Sequence, residues 1–161
     1  MAFDHVVHLG PGLVVGEFGP VCVTIWRDVV DVPRFTKQAD ALAAVAAKYP
    51  RKGAFVCIIE PTCAPPDDAL RKASVEMINK HEANLACIAG VIEGQGFRPA
   101  IARSILATMS LLFRKGAPHQ FFADVRGAAK WVGKHVEVDA ARFVTVVEGW
   151  RATLPAPLAP L

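Results

Sequence analysis

The sequence has no block of like charge. Eighteen lysines and arginines stand against fifteen acidic residues, for a net charge of +3, and the basic positions are scattered (Arg34, Lys37, Arg51, Lys52, Arg71, Lys72, Arg98, Arg103). A nucleic-acid site or an anionic-lipid site needs a concentrated positive field, so neither partner is expected. No apolar stretch reaches the roughly 18 residues of a membrane span, and the opening MAFDHVVHLGPG has neither the basic start nor the apolar run of a signal peptide. The expectation is a cytoplasmic protein.

Cysteine is also sparse and unpaired. Cys22, Cys57, Cys63 and Cys87 form no Cys-x-x-Cys motif. Cys22, Cys57 and Cys87 lie in β-branched apolar runs, where a thiol packs as a small hydrophobe, and a reducing compartment fits. Only Cys63, within Pro61-Thr62-Cys63-Ala64-Pro65-Pro66, is expected to be exposed enough to react.

What the chain does have is core-forming material. Hydrophobic residues make up 53% of 161 and charged residues 20%. A chain of this size hides roughly 70% of its extended surface, which supports one domain without staples. We place that domain at residues 1–153, followed by a Pro/Ala/Leu tail at 154–161 that is expected to be disordered, because alternating prolines block helix and strand alike.

Hydrophobic periodicity orders the domain. Leu13 to Phe18 and Val21 to Trp26 read as two short strands around Gly19-Pro20. Val32, Phe35, Ala39, Leu42, Val45, Ala46 and Tyr49 recur at helical spacing between Pro33 and Pro50. The segments around Phe55–Ile59 and Leu85–Ile92 are continuous apolar runs, as expected of strands covered on both faces. Between them a helix opens near Pro65-Pro66-Asp67-Asp68, with Leu70, Ala73, Met77, Ile78 and His81 inward. A third helix follows Pro99, with Ile101, Ile105, Leu106, Met109, Leu112 and Phe113 as its inner stripe and Gly116 as its stop. A short strand at Gln120–Ala123 and a helix at Val125–Val136 come next. Asp139–Thr153 has a helical face (Phe143, Val147, Trp150), but Phe143–Val147 has strand composition; Asp139 as a cap favours helix. The predicted fold is therefore α/β, with a mixed, mostly parallel sheet of about five strands and an appended C-terminal helix.

Ala86-Cys87-Ile88-Ala89-Gly90-Val91, then Arg98 with Ile101–Ile105, and then Gln120-Phe121-Phe122-Ala123-Asp124-Val125 with Ala129-Lys130-Trp131-Val132 carry a family pattern. With the element order, this stretch resembles STAS domains, and more closely the divergent bacterial STAS-like group placed alongside lipid-binding Sec14-type domains. The resemblance covers about the second half of the chain. It implies a non-catalytic regulatory module that acts through protein contacts. Regulatory members carry a phosphorylatable hydroxyl at the start of the helix after the third strand. The matching stretch here, Ile59 to Asp67, has no serine, and Thr62 is its only hydroxyl. Thr62, Cys63 and Asp67 are thus the candidate regulatory loop.

Other chemistry is thinly signalled. Gly94-Gln95-Gly96 before a helix suggests an anion cradle assisted by Arg98, but Pro99 breaks Gly-x-Gly-x-x-Gly, and a turn that needs glycine's positive φ explains it more simply. Glu60, Gly94, Gly96 and Arg98, with Thr62, form the candidate ligand edge at the carboxyl ends of the strands. His5 and His8 lack a third metal ligand, and Gly-x-Ser-x-Gly is absent. No metal, cofactor or catalytic set is expected. The leading expectation is a regulatory or interaction module that forms a homodimer or hetero-complex through Phe143, Val147 and Trp150. The alternatives are a binder of a small lipid or nucleotide and, third, an enzyme using Cys63 as its nucleophile.

Overall fold

The two continuous apolar runs pair with each other. In the computed structural model, which describes residues 4–114 and 116–156, strand β4 (Gly53–Ile59) lies parallel to β5 (Leu85–Ile92), with Cys57 opposite Gly90. Both are covered on both faces, which is why neither shows the alternation of a half-exposed strand. On one side β3 (Val21–Trp26) runs parallel to β4, and on the other β6 (His119–Phe122) runs parallel to β5. β2 (Leu13–Phe18) returns antiparallel on β3, as the Gly19-Pro20 break predicted.

A sixth strand was not foreseen. β1 (Asp4–Gly10) pairs antiparallel with β2, with a register irregularity between Val6 and His8. The sheet thus has six strands in sequential order, and β2, the one strand that runs against the others, lies second from the edge rather than at it. The described residues include no group of three or more His, Cys, Asp or Glu that could hold a metal.

Helices close both faces. α1 (Val32–Lys48) begins at Asp31, whose carboxylate accepts from the Arg34 amide at 3.0 Å, with Pro33 in its first turn. α2 (Asp68–His81) is capped by Asp67, and α3 (Phe97–Ser110) follows Gly96. These three pack on the face that carries Val15, Cys22, Trp26, Phe55 and Ile88. The opposite face, with Val14, Phe18, Val23, Val56 and Val91, is covered by α4 (Val125–Val132) and α5 (Ala140–Ala152). Asp124 and Asp139 cap these two, each accepting from the amide three residues on. Ala140–Ala152 is therefore helical despite its strand composition, because the cap and the Phe143, Val147, Trp150 stripe act together.

Three boundaries differ from expectation, and the first is the fourth helix, which ends at Val132 rather than Val136. The third helix ends at Ser110, and Leu112, expected inside, is exposed. The domain also continues past residue 153: Leu154 is buried in the core under α5, and the carbonyls of Leu154 and Pro155 accept from Arg27. The rest of the tail, 157–161, lies outside the described residues. No helix among the described residues is long and apolar enough to cross a membrane.

Candidate functional site

The carboxyl edge of the parallel strands was the expected ligand site, and it is occupied by an ion-pair network. Arg27, Glu60 and Glu93 directly follow β3, β4 and β5. Glu60, only 7% exposed, accepts from Arg27 Nε at 2.5 Å and from Arg151 Nη1 at 2.7 Å. Arg151 reaches in from α5 and also grips Glu93 through both nitrogens, at 2.6 and 2.9 Å. Burial pushes the Glu60 carboxyl up, but the hydrogen bonds and charges of the two arginines outweigh it and hold the carboxyl below the usual range. Burial works against the charge on Arg151 as well, and its bonds to Glu93 and Glu60 keep it firmly cationic. This cluster ties the last helix to the sheet. Its acceptors are already bound.

The neighbouring candidates serve the same local structure. The Thr62 hydroxyl donates to the Arg27 carbonyl at 2.6 Å, and Asp67 accepts from the Leu70 amide at 2.9 Å as the cap of α2. Cys63, expected to be exposed, is 6% exposed, and burial pushes its thiol up to about 12. A nucleophilic cysteine needs the reverse shift, so the structure argues against the nucleophile role. Gly94 and Gly96 both have positive φ, 90° and 101°, so the turn is the reason for the glycines. Arg103 stitches that turn from inside, donating to the carbonyls of Ile92 and Gly94. Arg98 is exposed on the first turn of α3.

Phe143, Val147 and Trp150 do not form a surface. All three are buried against β2 and its neighbours, and Phe143 meets the Phe18 ring edge-on at 5.6 Å. The stripe on α5 looked surplus in the sequence because the sheet face it covers is contributed by segments more than a hundred residues earlier.

The concave feature that the fold does build lies on the other face. Between the sheet and α1, α2 and α3 is a cavity of about 110 Å³, lined by aliphatic, aromatic and sulfur-bearing side chains that include Phe55, Ile59, Met77, Ile88, Leu106 and Phe121. No charged side chain among the described residues lines it. An apolar cavity of about 150 Å³ stays dry and takes up benzene, so this one is of a size to hold a small apolar molecule. Its outer wall is α3, where Ile101, Ile105 and Leu106 are only half-buried. Ile105 and Met109 also line a surface groove between α2 and α3, beside Arg71, Lys72, Ser104 and Thr108. The cavity and the groove thus share Ile105 and Met109 as lining side chains.

One residue of this site went unread in the sequence. Gln38 lies three residues after Phe35 and four before Leu42, on the buried stripe of α1, and is 4% exposed. Its Oε1 accepts from the Trp26 indole nitrogen at 2.8 Å, and its Nε2 lies 3.8 Å from Met77 Sδ. A glutamine interrupting an apolar helical stripe was the available signal.

Comparison with models of known protein families, with curated proteins and with solved structures finds no match.

Proposed function

We propose that this protein is a ligand-binding α/β module that holds a small apolar molecule between its sheet and helices α2 and α3. The observation that carries this reading is the cavity itself, uncharged and walled on its outer side by a half-buried helix. Ligand sites are characteristically concave, mostly apolar and furnished with few polar groups, and here the polar groups include Gln38 and Ser74. The site differs from the strand edge expected from sequence, because arginines and glutamates close that edge.

The test is a titration with methylenecyclopentane, a small hydrocarbon, followed by amide and methyl NMR. Saturable shifts confined to residues around the cavity, abolished by Ala102→Leu, are the expected result. Ala102 is buried on the inner side of α3 and lines the cavity, so a larger side chain there fills the space. Saturable shifts that persist unchanged in the filled variant, or no shifts at all, would overturn the reading.

A second reading, a STAS-like regulatory module that associates with a copy of itself, is favoured by a different observation. Phe97 at the start of α3 and Leu111 just past its end are 81% and 84% exposed, and Leu112 is exposed next to Leu111. Light scattering tests it: a mass of one chain at high concentration removes the homodimer.

A further inference from the structure

We infer that the natural occupant of the cavity is a neutral molecule with a carbonyl oxygen, and that Gln38 Nε2 donates the hydrogen bond that recognises it. The inference rests on the cavity-binding reading above and adds the polar chemistry of the ligand.

The orientation of the Gln38 amide is fixed by its neighbour. An indole N–H can only donate, so the atom 2.8 Å from Trp26 Nε1 must be the amide oxygen. The Cys57 thiol, 4.0 Å away, approaches the same oxygen. Flipping the amide would set N–H against N–H, so the NH₂ group is forced to the opposite side. There it meets the Met77 thioether, a weak acceptor that engages at most one of its two protons. Trp26 therefore explains why α1 carries an acceptor at this position but leaves the donor end of the amide nearly unused. Buried donors in folded proteins are normally paired.

An account of the other polar groups points the same way. Ser74 donates its hydroxyl proton to the Leu70 carbonyl at 2.8 Å, and the Cys63 thiol is directed to the Ala64 carbonyl at 3.5 Å. The spare donor capacity among these polar lining groups thus lies on Gln38. A ligand with only donors would find no complement to that NH₂ group, and a charged ligand would find no counter-charge among the described lining residues. A ketone, aldehyde, ester or amide oxygen satisfies it, with the apolar remainder against Phe55, Ile88 and Phe121.

The experiment compares cyclopentanone with methylenecyclopentane, which has nearly the same shape but a CH₂ in place of the oxygen. Both are titrated into the wild type and Gln38→Leu, and the Gln38 side-chain NH₂ resonances are followed in the wild type. The expected result is a downfield NH₂ proton shift with the ketone alone, and a ketone-to-hydrocarbon affinity ratio that falls about tenfold in the variant. If Gln38→Leu fails to fold because the Trp26 indole loses its acceptor, the wild-type NH₂ shift decides. Hydrocarbon binding with identical NH₂ shifts for both probes, or an unchanged ratio in a folded variant, would sink this inference and leave the cavity reading standing. Binding of neither probe would sink both.

Discussion

Arg151 Nη1 stands 2.7 Å from Glu60 Oε2, joining the last helix to the end of a central strand across ninety-one residues of sequence. Glu60 is buried and Arg151 is mostly so, which places the pair between the strong interior case and the weak surface one. Arg151→Met keeps much of the side chain's apolar stem but removes two of the bonds on Glu93 and one on Glu60. We expect a loss of about 1–3 kcal/mol in denaturant unfolding, because Glu60 retains Arg27 while Glu93 loses its bidentate partner. A change under about 0.5 kcal/mol, the level of an ordinary surface substitution, would show that the network is held by other contacts.

The same cluster sets an acid limit. The folded-state carboxyl of Glu60 lies below its ordinary value of 4.5, so the folded form holds fewer protons than the unfolded one wherever the two differ. The stabilisation from Glu60 is therefore fully present above the unfolded value and drains away as pH falls through the folded one. Denaturation midpoints taken from about pH 7 down to about pH 3 should fall in the wild type. They should fall less steeply in Arg151→Met, whose Glu60 has lost one of the two guanidinium groups that depress it. Parallel acid limbs in the two proteins would assign the acid sensitivity elsewhere.

Gly16 sits under the Trp150 ring. A Cβ placed on it would lie 2.6 Å from Trp150 Cζ3 and 2.7 Å from Cη2, well inside contact. Gly16 is within a strand, so backbone freedom is not the issue; the ring takes the space of a side chain. Gly16→Val should lift Trp150 off β2 and cost about 1–3 kcal/mol, the range typical of overpacking. Trp150 is 9% exposed, so the loss should come with a red-shifted tryptophan emission relative to the wild type. Gly149→Ala, where an added Cβ meets nothing within 4 Å, is the control and should leave the emission unchanged.

These residues also show what could be read from sequence and what could not. The strands β4 and β5 were legible because burial on both faces leaves an uninterrupted apolar run. Asp67 at the opening of α2 and Asp139 as the cap of α5 were legible because a helix start marks local geometry and needs no knowledge of the rest of the chain. β1 was illegible for the opposite reason. Val6, Val7 and Leu9 are exposed at a sheet edge, so the strand is held by pairing with β2 rather than by a buried pattern. The arginine network joins Arg27, Glu60, Glu93 and Arg151, which meet only once three strands are aligned and α5 has crossed their ends. The cavity is harder still, since it is a shortfall of packing shared by several elements, and no single residue records it. Gln38 alone broke a local pattern.

The cysteines give a last test, one that connects the cavity to motion. Burial pushes Cys57 up to about 11 and Cys63 and Cys87 up to about 12, and raises Cys22 further still, from an ordinary 9.0. At tenfold per unit, the thiolate population of the first three falls by roughly a hundred- to a thousand-fold, and alkylation of the native protein should slow at least that much against a free thiol. The four should still not behave alike. Cys57 and Cys63 line the cavity, whose outer wall α3 is the least buried of the helices that enclose it, whereas Cys22 and Cys87 are wholly enclosed on the two sides of the sheet. Local opening of α3 exposes the first pair without unfolding the sheet, so mass spectrometry should find Cys57 and Cys63 alkylated ahead of Cys22 and Cys87. Saturating methylenecyclopentane should then slow the first pair selectively. If all four react at one rate, and the hydrocarbon slows them equally, exchange runs through global unfolding and α3 is not the route into the cavity.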